Sequence, residues 1–142
     1  CQDYNSFLGL YPLCLARQTD GESRLTWETG PVPANLDPAS SYAFRWVTGM
    51  GYVSEPSGKF TLFLGDLPLL DLDVAMKDAT WHSADGRIVL QYTVKKVEGM
   101  DSSGNMELTI PGSLLKPGEP ARLGIVGSAK ASRRWFGIYE LQ

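Results

Sequence analysis

Glycine and proline recur along this chain at intervals that chop it into short segments. That spacing leaves little room for a long helix and suits an all-β, antiparallel β-sandwich. Between the breaks, apolar and polar residues alternate with the period of two that marks a half-buried strand. Arg87 to Val97 is the longest such run: Ile88, Leu90, Tyr92 and Val94 face one way, Val89, Gln91, Thr93 and Lys95 the other. In Ser41 to Thr48, Tyr42, Phe44 and Trp46 share a face, and a face that aromatic reads as core. Further strands are expected over Arg24–Thr29, Phe60–Leu64, Leu69–Val74, Thr80–Ser83 and Arg134–Leu141. Gly65-Asp66 reads as a hairpin turn, Gly30 to Ser40 with its three prolines as loop, and Asp101 to Asn105 as a turn. Residues 1–23 read as an irregular segment packed on the sandwich, and the whole of 1–142 as one domain.

The stretch from Met106 to Val126 has the most defined pattern. Met106, Leu108 and Ile110 alternate with Glu107 and Thr109, and Pro111, lacking an amide donor, ends the run. Leu114 and Leu115 follow as apolar anchors, then the turn Lys116-Pro117-Gly118-Glu119-Pro120, then Leu123 and Ile125 resume the alternation. This segment resembles the "strand, Leu-Leu-Lys-Pro-Gly-Glu, strand" corner of galactose-binding-like jelly rolls, as found at the N-terminus of beta-galactosidase-type glycosidases. Phe60 to Val74 is similar to that family's strand, surface turn and strand, and Arg87 to Val97 to its long central strand; the resemblance covers about residues 40–142. Two departures are Pro120, where the family has Asn, and Gly65-Asp66, which replaces its Val-Asn-Gly turn. The resemblance implies a jelly-roll topology and a sugar-associated accessory or carbohydrate-binding module of an exported, polysaccharide-degrading enzyme. Its implied partners are a glycan or a neighbouring catalytic domain, and its implied location is extracellular or periplasmic.

A net charge of -3, with positive charges clustered only at Lys95-Lys96 and Lys130 to Arg134, argues against a nucleic-acid partner, which needs a basic face. No apolar run approaches the ~18 residues of a membrane-spanning helix. Cys1 at the start of the chain fits either the acylated N-terminus of a mature bacterial lipoprotein or a boundary that falls at a cysteine. With Cys14 it could close one disulfide; redox compartment stays open.

Catalysis by imidazole has one candidate, His82, with neither a G-x-S-x-G elbow nor the helix such an elbow requires. The carboxylates Asp71 and Asp73 alternate with Leu70, Leu72 and Val74 and read as a solvated strand face, with Asp66 and Asp78 near them in sequence. Calcium is the one ion their hard oxygens would suit, and no EF-hand spacing is present. No catalytic residue, metal ligand or cofactor is therefore assigned. Sugar recognition instead calls for aromatic rings that stack on pyranose C–H faces, flanked by planar hydrogen-bonding groups. Tyr52 in the segment GMGYVSEPSGK, Trp81 with His82, and Arg134 with Trp135 are the candidates for that role. Trp27, beside Glu28, stands next to a loop, whereas Trp46 is expected in the core. Two alternatives remain: a structural or protein-interaction module of a surface lipoprotein, and a small hydrolase built around His82 and the acidic strand.

Overall fold

A computed structural model of the chain describes residues 14–17, 23–51, 60–127 and 135–141. It contains ten strands: β1 (Cys14–Arg17), β2 (Ser23–Pro31), β3 (Ser41–Gly51), β4 (Phe60–Leu64), β5 (Leu67–Leu72), β6 (Ala79–His82), β7 (Val89–Glu98), β8 (Asp101–Pro111), β9 (Pro120–Gly127) and β10 (Trp135–Leu141). A single 3-10 turn, Gly112–Leu114, follows β8, and no α-helix occurs among the described residues. Six strands form one antiparallel sheet in the order β1-β10-β3-β8-β7-β6, and four form the other, β2-β9-β4-β5. The pairs β1 with β10, β2 with β9, β3 with β8 and β4 with β5 are nested like the two arms of one long hairpin. Rolled so that β10 also meets β3 and β9 meets β4, that hairpin is a jelly roll, with β6 and β7 extending the larger sheet.

The alternation read from the sequence sets which side chains lie between the sheets. Trp46 and Met50 of β3, Leu90 and Tyr92 of β7, and Met106, Leu108 and Ile110 of β8 point inward from the large sheet. They meet Phe60 and Leu62 of β4, Leu70 and Leu72 of β5, and Leu123 and Ile125 of β9. Full burial of each such side chain contributes about 1.5–3 kcal/mol. Leu70, Leu72 and Val74 are buried while Asp71 and Asp73 are exposed, as the alternation requires. Edge strands are kept unfit for further pairing by shortness, in β1 and β6, and by proline, Pro68 in β5 and Pro31 in β2.

One expected turn is displaced. Asp101 to Asn105 belongs to β8, and the chain reverses instead at Gly99-Met100, between Glu98 and its partner Asp101. Gly99 takes φ of 62°, which the first central position of a two-residue hairpin turn demands. The small residues after it serve packing. A Cβ on Gly104 would lie 2.0 Å from the Thr93 carbonyl oxygen, beside the register shift between Val94 and Lys96. Ser102 is fully buried; its hydroxyl donates to the Ala75 carbonyl, which leaves its oxygen to accept the Tyr92 O–H at 2.8 Å. Ala75 in turn donates its N–H to Met50 Sδ at 3.0 Å, so the crossover after β5 is tied to the core from both sides.

The corner after β8 also has a packing role. Leu115 is buried, Leu114 is exposed, and Gly112 donates to the Ser40 carbonyl at 2.7 Å. Val32 exchanges hydrogen bonds with Glu119 and Gly118, so the proline-rich loop 32–40 seats on the Lys116–Pro120 turn. Within that loop Asp37 accepts from the Ala39 N–H and the Ser40 hydroxyl, which hold its carboxyl below the usual range.

Two outcomes follow. Gly104→Ala forces the β7 backbone away and should lower stability by about 1–3 kcal/mol in urea denaturation. Burial pushes the Tyr92 phenol up to about 12 from 10.0. The unfolded chain therefore loses this proton first, and stability present below pH 10 falls as pH rises toward 12. Tyr92→Phe should remove that part of the alkaline loss of thermal midpoint.

Candidate functional site

Among the described residues, one concavity lies between the two sheets, where β2 and β3 come together. β3 has eleven residues, but β10 stops pairing with it at Trp46, opposite Leu141. Among the described residues no strand flanks Ser41 to Arg45 on that side. Across the gap runs β2, the edge strand of the smaller sheet, whose segment Trp27–Gly30 lies at the same end. A cleft of about 260 Å³ lies between β2 and β3 here, lined by Trp27, Glu28, Thr29, Phe44, Arg45 and Trp46.

Three aromatic rings of this cleft come from inward-facing positions. Trp27 and Phe44 are half-buried and rest against the core, while Trp46 is 1% exposed. Trp27 meets Trp46 edge-on, with ring centroids 5.3 Å apart and planes at 64°. The Trp46 indole Nε1 is buried with no hydrogen-bond acceptor, a condition that costs about 1–3 kcal/mol. Glu28 stands 3.9 Å from Arg122, and Thr29 Oγ1 accepts from the Ala121 N–H at 3.0 Å. Chemically the cleft offers ring faces and edges with a carboxylate and a guanidinium at its rim. It holds no imidazole and no carboxylate pair.

Two further depressions are polar. On the outer face of the large sheet, Arg45, Gln91, Thr93, Asn105 and Glu107 line about 250 Å³, with Arg45 Nε donating to Glu107 Oε2 at 2.8 Å. On the outer face of the small sheet, Thr26, Gly65, Asp66, Arg122 and Gly124 line about 360 Å³.

The residues singled out from the sequence fall in separate places. Trp81 and His82 are neighbours in β6, so they point to opposite sides of the sheet. Trp81, opposite Leu90, packs half-buried against the core; His82 is exposed on the outer face, its Nδ1 3.1 Å from the Ser83 carbonyl oxygen. Beside it, Asp85 accepts from the Ser83 hydroxyl and the Arg87 N–H, which hold its carboxyl low. Tyr52 and Arg134 lie outside the described residues, as does Cys1. Trp135 begins β10, opposite Gly51 and Arg17, and its side chain is not among those described. Trp27 was legible as a loop-adjacent indole beside Glu28, but Phe44 was not, because its place in the cleft depends on β2 of the other sheet lying beside it.

Three of the four acidic side chains considered for calcium accept local hydrogen bonds. Asp71 accepts from Thr61 at 2.8 Å, Asp73 from the Val74 N–H, and Asp78 from the Val94 N–H. Among the described residues no three His, Cys, Asp or Glu side chains gather in a way that could hold a metal ion. No helix among them is long and apolar enough to cross a membrane.

No protein-family model and no curated protein matches the chain. Among solved structures it is similar to the Clostridium perfringens CspB protease, at 11% identity and a TM-score of 0.46 over 89% of this chain. The chain spans 24% of the length of that protease.

The Arg45–Glu107 pair is more than two-fifths exposed on both sides, so it contributes little to folding. Arg45→Ala should change stability by less than about 1 kcal/mol in urea denaturation.

Proposed function

We propose that this domain is a non-catalytic carbohydrate-binding module of an exported polysaccharide-degrading protein, and that it grips glycan in the cleft between β2 and β3. The observation that carries this reading is the cleft's aromatic lining, with Trp27 and Phe44 half-buried and Trp46 buried against Trp27. Polarised sugar C–H groups sit favourably against the negative face of an aromatic ring. Glu28 at the rim supplies a planar acceptor for hydroxyl groups. The mechanism is passive: the module holds a glycan close to a catalytic domain elsewhere in the parent protein. On this reading the protein works outside the cytoplasm.

Affinity electrophoresis through gels containing soluble polysaccharides tests it. The protein should be retarded by at least one glycan, and Trp27→Ala should lose the retardation while keeping its far-UV circular dichroism. Trp81→Ala, which opens a gap against the core, should lower the thermal midpoint instead. Free migration in every gel of a broad set, with the fold intact, would count against glycan binding and in favour of a structural or protein-interaction module.

A further inference from the structure

We infer that the cleft takes one sugar ring at the end of a chain, and that the Trp46 indole N–H is the donor that orients it. This rests on the reading of the cleft as a glycan site. Its size is the first argument: about 260 Å³ falls below the roughly 300–1,000 Å³ of pockets that enclose drug-sized ligands, which suits one ring better than a run of rings.

The unpaired donor is the second. The interior polar side chains Thr48, Tyr92 and Ser102 each have a hydrogen-bond partner. Among the described residues, Trp46 Nε1 and Ser103 Oγ are the buried side-chain polar atoms without one. Buried donors are nearly always paired, and Trp46 belongs to the lining of the cleft, so an acceptor on a seated ligand is the partner this donor lacks. A sugar hydroxyl or ring oxygen is such an acceptor. The ring that meets Trp46 edge-on is Trp27, half-buried on an edge strand that has β9 on one side only. Trp27 yields as the sugar enters, its face stacks on the sugar, and the indole N–H of Trp46 becomes reachable.

Calorimetric titration of the protein with D-glucose against cellohexaose, D-xylose against xylohexaose, and D-galactose against its β-1,4-linked hexamer tests the size. For the sugar that binds, the single ring and the hexamer should bind with equal affinity, because a chain has one such end. A hexamer more than about tenfold tighter than its monomer overturns end recognition while leaving glycan binding intact. Indole ¹⁵N spectra of the same protein test the donor. The Trp46 Nε1–H resonance should move at saturation, and Trp46→Phe should weaken binding at least about tenfold. An unmoved resonance overturns the donor assignment whether or not the variant folds. Binding of none of the six sugars, together with free migration in every gel of the broad polysaccharide set, overturns the glycan reading itself.

Discussion

The pairing of β3 with β8 is the constraint on which the rest of the sandwich depends. Eleven consecutive residues, Ser41 to Gly51, match Pro111 to Asp101 without a register shift. Every other strand of the large sheet is attached to one side or the other of that ladder. A one-residue slip of β8 along β3 would turn Met106, Leu108 and Ile110 to solvent and bring Asn105 and Glu107 into the core. The unpaired-charge cost of that alternative fixes the register more firmly than any single contact does. Because β3 and β8 are 50 residues or more apart in the chain, the ladder forms late and at the expense of loop closure.

Most of the fold could be read from alternation alone, because each strand has one wet face and one dry face. Tyr42, Phe44 and Trp46, and Ile88 to Val94, fell on their faces as expected. The turn at Asp101 to Asn105 misled because glycine, serine and asparagine suit two situations. They make turns, and they allow a close backbone approach such as that of Gly104 to Thr93. Only the position of β7 distinguishes the two.

The candidate site was less legible for a different reason. An aromatic residue on the inner face of a strand reads as core, and Phe44 and Trp46 do rest against the core. What makes their neighbourhood a cleft is the approach of β2, a strand of the other sheet, to the same end of β3. Periodicity reports which face a side chain occupies; it carries no information on which strand of the opposite sheet lies beside it. Trp81 shows the converse, an indole next to a turn that nonetheless points inward because β6 pairs with β7 in a register that sets it opposite Leu90.

The tie between Ala75 and Met50 has a chemical consequence of its own. The Met50 thioether is wholly buried and accepts an amide hydrogen bond, whereas Met100, at the hairpin turn, is 43% exposed. An oxidant in solution reaches Met100 in the native protein and Met50 only when the crossover after β5 opens. Sulfoxide formation at the two residues thus separates surface chemistry from opening of the core. A methionine oxidised at position 50 would return to a sandwich with a bulkier, polar side chain in its centre, so oxidative damage caught during an opening would be locked in when the sheets close.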